Sequence, residues 1–125
     1  MTTKPSSREN YKLVLPEHLN HYGFLFGGYL LKWVDEYAWI AASLDYPSCN
    51  FVTIGLDKVE FRQSVRGGTI LNFVVEKVKQ GNTSLQYMVK VFHGNSKEVN
   101  DKPVFCTHVT FVSVDKEGKK KPLNK

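Results

Sequence analysis

The chain has 125 residues, of which 42% are hydrophobic, 23% charged and 13% aromatic. This composition excludes wholesale disorder and predicts a single domain, residues 1–125, with one core. The formal net charge is +5, but residues 116–125 hold five lysines and one glutamate, so this tail carries 5 − 1 = +4 and the other 115 residues carry +1. The positive charge therefore belongs to a tail, which argues against a nucleic-acid-binding surface.

The sequence also carries information about its compartment. The two cysteines, Cys49 and Cys106, fit neither a metal-binding spacing nor a disulfide framework. Residues 1–10 are polar and resemble no signal peptide, and the chain has no run of about 18 apolar residues such as a transmembrane helix requires. We therefore expect a cytoplasmic protein with no membrane partner and no bound metal.

The first third of the chain predicts a strand and a long helix. Residues 1–10 are expected to be flexible, and the short apolar segment 11–15 predicts a strand that Pro16 ends. A loop over 17–28 finishes in two glycines. The run 29–44 contains neither Gly nor Pro and predicts a helix.

The remaining two thirds predict strands separated by turns. Turn signals occur at Gly67-Gly68 and at Gly81-Asn82, and Gly55 marks an irregularity. The predicted strands cover 51–62, 69–79, 83–93 and 104–115, followed by a flexible tail over 116–125. A helix with so few polar positions must be covered on nearly all sides. The prediction is an α+β fold in which an antiparallel sheet wraps around one long central helix.

Asp35 stands out among the polar residues of this helix. At about 100° per residue, Lys32, Glu36 and Ser43 share one polar stripe, and Asp35 lies about 80° from its centre. The neighbouring positions on the helix surface are occupied mainly by small residues, which leave room beside the carboxylate. Asp35 is therefore a candidate catalytic residue. The alternative is a carboxylate that borders solvent or an interface.

The glycine pair Gly27-Gly28 at the helix start is a second candidate. Backbone N–H groups in the first helical turn can donate to a developing negative charge, although a tight turn explains the glycines equally well. Gly28 and Asp35 are seven residues apart, about 10 Å along the axis. Groups that act on one carbonyl must lie within about 3 Å of it. Both residues can serve one carbonyl only if two antiparallel helices from two chains supply them.

Residues 15–36 resemble the signature of the hotdog-fold acyl-CoA thioesterases of the cytosolic acyl-CoA hydrolase type. The matching positions in order are Pro16, Asn20, Gly23, Gly27-Gly28 and Asp35. Further similarity at 52–53, 81–84 and 110–115 extends the likeness over roughly residues 11–118.

The resemblance implies a hotdog fold and hydrolysis of an acyl-CoA to a free acid and CoA, without a metal or redox cofactor. It implies a homodimer, assembled as a trimer of dimers, with the active site at the dimer interface. Asp35 would act as base or nucleophile, and Gly28 would donate its N–H to the thioester oxygen. Asn20 would line the site, and Thr53 would face Asp35 from a strand. A weaker likeness assigns CoA binding to three further positions. These are Arg62, Gly67 and Ser84.

One position departs from the family pattern. Relatives often carry Asn, Asp or Thr where this chain has Phe24, which cannot hydrogen-bond a water molecule. Asn20 or His21 would then have to position the water. The alternative function is a non-catalytic acyl-CoA-binding or regulatory hotdog protein. A hotdog hydratase is disfavoured because the chain has no Asp-x-Asn-Pro-x-x-His-like run.

Overall fold

The computed structural model describes residues 7–94 and 102–123. One long helix follows the first strand and precedes four more strands, which confirms the predicted order and the α+β class. In chain order the elements are β1 (Ser7–Leu13), a short 3-10 helix (Pro16–His18), α1 (Gly27–Asp45), β2 (Asn50–Phe61), β3 (Ile70–Gln80), β4 (Ser84–His93) and β5 (Phe105–Val114). The helix begins two residues earlier than predicted, because the glycine pair forms its first turn.

The five strands form one antiparallel sheet in the order β1-β3-β4-β5-β2. Alternate residues of β3, including Leu71, Phe73 and Val75, are fully buried and face α1. The two strands flanking the helix in sequence, β1 and β2, lie at opposite edges of the sheet. Strand β2 also lies beside α1, since Thr53 and Phe51 both bond to side chains of the helix, and among the described residues its outer edge pairs with no strand.

The core forms between the helix and the inner face of the sheet. Trp33 contacts Phe73 edge-on with ring centroids 6.4 Å apart, and Ala38 and Ala42 are fully buried, so the helix approaches the sheet closely. Burying one large apolar side chain such as Phe73 contributes about 1.5–3 kcal/mol. The apolar face of α1 and the sheet thus hold the helix at a fixed position and rotation.

Strand β2 pairs irregularly with β5. The register shifts between Thr53 and Gly55 and again between Asp57 and Glu60, which confirms the predicted irregularity near Gly55. Lys58, within the second shift, has φ of 54°. These shifts change which side chains of β2 face the helix, and Thr53, before the first shift, points toward α1.

The start of the chain corrects one prediction. Ser7–Asn10, expected to be flexible, belongs to β1 and pairs with β3 from Glu76 to Phe73. The polar sequence of this segment gives no sign of a strand. An edge strand pairs through backbone groups that every residue has, so it needs no apolar side chains. Arg8 adds an ion pair with Asp45 at 2.7 Å, which joins β1 to the end of α1.

Asp45 also accepts a hydrogen bond from the hydroxyl of Tyr87 on β4, at 2.5 Å. Burial, reinforced by this bond, raises the pKa of Tyr87 above its ordinary value, so the phenol stays protonated and donates. The end of α1 is therefore tied through one carboxylate to both β1 and β4.

The other terminus is also more ordered than predicted. Backbone bonds run from Lys121 N–H to Ser113 and from Leu123 N–H to Asn82, both at 3.0 Å or less, and Leu123 packs against the core. Residues 116–123 therefore fold back onto the sheet after a turn at Asp115. The other residues of the two predicted flexible ends, 1–6, 124 and 125, lie outside the described residues.

Candidate active site

The loop before α1 is closed by its own backbone and by Asn20. The carbonyl of His18 accepts from the N–H of Phe26 at 2.9 Å, so the two ends of the loop meet. The side-chain oxygen of Asn20 accepts from the N–H groups of Tyr22 and Phe24, at 2.9 and 3.1 Å. Asn20 therefore shapes this turn with its carbonyl, and its amide remains available to donate.

The loop leads into the first turn of α1 at Gly27 and Gly28. Neither N–H can be bonded within the helix, because the first turn has no preceding carbonyls, and no other bond to them occurs within residues 7–94 and 102–123. A Cβ at Gly28 would lie 2.8 Å from the ring of Phe26. Glycine thus leaves room for the Phe26 ring, and the N–H of Gly28 can donate to a ligand.

Asp35 lies two turns further along the helix and points toward β2. Its Oδ1 accepts a hydrogen bond from the hydroxyl of Thr53 at 2.7 Å. Its other oxygen, Oδ2, accepts no hydrogen bond from any residue in the described part of the chain. The side chain is half-buried, so one oxygen is fixed by Thr53 while the other is available to water or substrate.

A cavity of about 570 Å³ opens between the loop and the segment that follows β2. Four predicted site residues line it, namely Asn20, Phe24, Gly27 and Arg62. Asp35, Thr53 and Gly28 are not among its lining residues. Since Gly28 and Asp35 are about 10 Å apart along α1, one protomer presents them at separate places.

The sequence model of the thioesterase superfamily matches residues 22–100, which cover the second half of the loop, the whole of α1 and three strands. The chain belongs to the thioesterase superfamily. This membership confirms the family resemblance recognised in residues 15–36.

Curated relatives and solved thioesterase structures agree with this family. Acyl-coenzyme A thioesterase 11 of mouse is 32% identical over 87 residues, 70% of this chain. The chain spans only 14% of that protein, and 16% and 64% of the next two curated relatives. A hexameric hotdog fold thioesterase of Campylobacter jejuni is 33% identical, with a TM-score of 0.80 over 92% of this chain and 88% of that one. The hotdog fold is thus confirmed.

An acyl-CoA hydrolase of Staphylococcus aureus, solved in complex with coenzyme A, is also similar to this thioesterase-superfamily chain. The two share 28% identity and superpose with a TM-score of 0.84 over 94% of this chain and 70% of that one.

Three other predicted positions lie outside the cavity. His21 is exposed and stacks on Tyr22 with ring centroids 4.0 Å apart. Gly67 lies in the turn before β3, where a Cβ would approach Leu19 to 3.1 Å. Ser84 begins β4 and pairs with Val112, at the opposite end of the sheet. A single protomer does not bring these residues together.

Sequence analysis missed seven further residues that line the cavity, three from the loop and first turns of α1 and four from the end of β2 and the segment after it, which carries no motif. These are Tyr22, Leu25, Leu30, Phe61, Gln63, Ser64 and Val65. The segment reaches the site because Leu25 N–H donates to the carbonyl of Val65 at 2.7 Å. The one available signal was the polar run 62–64 between two apolar segments.

The described residues hold neither a metal-binding cluster nor a membrane-spanning helix. Within 7–94 and 102–123, no three His, Cys, Asp or Glu side chains are grouped so as to hold a metal ion. In the same part of the chain, no helix has the length and hydropathy needed to cross a membrane.

Proposed function

We propose that this chain hydrolyses acyl-CoA thioesters at a site shared by two copies of itself. The observation that carries the proposal is the Thr53–Asp35 hydrogen bond of 2.7 Å, which leaves one carboxylate oxygen available. The related S. aureus enzyme is an acyl-CoA hydrolase, and forms with an Asn, an Asp or a Thr replaced by Ala are among its solved structures. These are the residue types of Asn20, Asp35 and Thr53.

The chemistry follows from the two groups. Oδ2 of Asp35 takes a proton from water as the water oxygen bonds to the thioester carbon. Gly28 of the partner subunit donates its N–H to the carbonyl oxygen as negative charge develops there. The carbon–sulfur bond then breaks, and CoA leaves as a thiolate that takes up the proton. Direct attack by Asp35, with later hydrolysis of an anhydride, uses the same geometry.

Surface features support the assembly that this site requires. The helix exposes Trp39 and Leu44, and the adjacent edge strand β2 exposes Val52 and Ile54, with exposures of 45 to 63%. Apolar groups at an unpaired sheet edge favour association with a second chain. In the proposed dimer, β2 strands pair edge to edge and the two helices lie antiparallel, so that Asp35 of one chain approaches the helix start of the other.

A further apolar patch lies on the outer face of the sheet. Tyr11 and Leu13 on β1 and Ile70 on β3 are 40 to 61% exposed. A trimer of dimers would cover this patch, and the related C. jejuni thioesterase is hexameric. Sedimentation tests the assembly, since active protein at the monomer mass of 14.3 kDa would contradict it.

The proposed reaction needs no metal or redox cofactor, because carboxylate and backbone N–H supply the required groups. We also propose a cytoplasmic location, since the sequence holds only two cysteines and no disulfide framework.

Phe24 favours a second candidate, a non-catalytic acyl-CoA-binding or regulatory protein. Its ring lines the cavity at a position where related proteins often have a polar side chain, and it cannot hold water. Turnover decides between the two, because a binding protein would bind acyl-CoA without releasing free CoA.

The Asp35→Asn variant tests the catalytic assignment. It keeps the shape of the side chain and removes the base, so kcat should fall by about 10² or more while acyl-CoA still binds. Glu36→Gln is the matched control, because Glu36 is exposed on the polar stripe and its loss should change kcat little. A near-normal kcat in Asp35→Asn would show that the assignment is wrong.

A further inference from the structure

Arg66 lies beside Phe24, which is one of the cavity-lining residues. Its guanidinium carbon is 5.3 Å from the centroid of the Phe24 ring. The two residues also form a backbone bridge, and the adjacent bond from Leu25 N–H to Val65 holds the loop against the segment after β2. Phe24 and Val65 line the cavity and Arg66 does not, so the guanidinium lies beside the cavity, packed on the ring of a lining residue.

The positive charge of Arg66 is not neutralised there. Arg62, the other arginine of this segment, pairs with Glu60 at 3.0 Å. No carboxylate lies within ion-pair distance of Arg66 among residues 7–94 and 102–123, and none of the described residues lining the cavity is acidic. A site with unpaired positive charge and no neighbouring carboxylate favours an anionic ligand.

A guanidinium over an aromatic ring keeps its N–H edges directed outward, and its planar fork matches two phosphate oxygens. We propose that Arg66 binds a phosphate group of coenzyme A and that Phe24 is the positioning residue that holds it. The proposal rests on the proposed function. It assigns a role to the aromatic side chain at the position where the family pattern is usually polar.

The test compares three thioesters with the same acyl group, namely butyryl-CoA, butyryl-dephospho-CoA and butyryl-pantetheine. Arg66→Gln should raise KM for butyryl-CoA by about tenfold, change KM for butyryl-pantetheine less than about twofold, and leave kcat unchanged. Butyryl-dephospho-CoA lacks the 3′-phosphate but keeps the pyrophosphate, so it shows which of the two Arg66 binds. If Arg66→Gln and the wild type have the same KM for this ester, the contact is to the 3′-phosphate that the ester lacks. If the KM of Arg66→Gln is higher, the contact is to the pyrophosphate.

Further variants separate charge from positioning. Phe24→Leu keeps an apolar wall but removes the ring, so KM should rise about threefold for butyryl-CoA and stay constant for butyryl-pantetheine. Arg66→Lys should restore part of the loss. Lys90→Gln removes the same net charge on the sheet face away from the helix, since its neighbours Val89 and Val91 are in the core, and should leave all three KM values unchanged.

Equal changes for all three esters in Arg66→Gln, or no change for any, would overturn the proposal. Its failure is distinguishable from failure of the proposed function. If the wild type hydrolyses none of the esters, calorimetric titration with CoA still decides. A weaker Kd in Arg66→Gln than in Lys90→Gln supports the phosphate contact, and equal Kd values contradict it.

Discussion

The Thr53–Asp35 hydrogen bond allows a quantitative prediction. Thr53→Val replaces the hydroxyl with a methyl group of similar size and leaves Oδ1 of Asp35 without its donor at 2.7 Å. A hydrogen bond to a charged group contributes about 1.5–3 kcal/mol. If the bond orients Asp35 in the transition state, its loss lowers kcat by about ten- to a hundredfold, because 1.36 kcal/mol corresponds to a factor of ten. KM should change little, since Thr53 does not line the cavity.

The assay follows release of the CoA thiol with a thiol-reactive dye under saturating butyryl-CoA. Thr53→Ser keeps the hydroxyl and is the matched control, expected within a few-fold of the wild-type kcat. Denaturant unfolding of both variants checks that the fold is intact. A wild-type kcat in Thr53→Val would refute the idea that this bond positions the base.

Other consequences follow for stability. Tyr87→Phe removes the donor to Asp45 and should lower the free energy of unfolding by about 1–3 kcal/mol in a chemical denaturation. Because the pKa of Tyr87 is raised in the folded protein, its contribution is present below pH 10.0, its ordinary pKa, and is lost as the pH rises further. The wild type should therefore lose more stability than Tyr87→Phe at high pH. Deleting residues 119–125 removes the backbone bonds to Ser113 and Asn82 and should lower thermal stability, with KM for acyl-CoA unchanged. A salt-sensitive, tenfold rise in KM would instead indicate a phosphate contact in this segment.

The helix and strands could be predicted from the sequence where the hydrophobic pattern matches the side chains that are buried in the structure. The run 29–44 has no helix breaker and forms most of α1, and the alternating residues of β3 and β5 do bury one face. The termini were misread because backbone pairing leaves no compositional signal. Ser7–Asn10 is polar, and residues 116–123 are rich in lysine, yet both attach to the sheet.

The site was predictable only in part, for a similar reason. Helical geometry placed Asp35 off the polar stripe, and the family resemblance predicted Thr53 to face it. In the structure the Thr53 hydroxyl donates to Asp35 at 2.7 Å. The cavity wall formed by Phe61 and residues 63–65 depends on tertiary pairing of two loops, which no local pattern encodes. The stacking of Arg66 on Phe24 has the same origin.

Subunit mixing tests the central claim, a hydrolytic site built from two chains, most directly. Asp35→Asn and Gly28→Pro are each expected to be inactive. Proline at position 28 removes the N–H without loss of an intrahelical bond, and Gly27 has no Cβ to clash with its ring. Because any Cβ at position 28 displaces the Phe26 ring, Gly28→Ala, which keeps the N–H, is the steric control and should stay active.

The two variants are unfolded together, refolded as a mixture, and assayed for butyryl-CoA hydrolysis. If each site takes Asp35 from one chain and Gly28 from the other, a mixed dimer contains one intact site and one doubly altered site. Half of the dimers are mixed and half of their sites are intact, so activity should return to about one quarter of the wild-type value. Activity no higher than that of either variant alone would contradict a shared site.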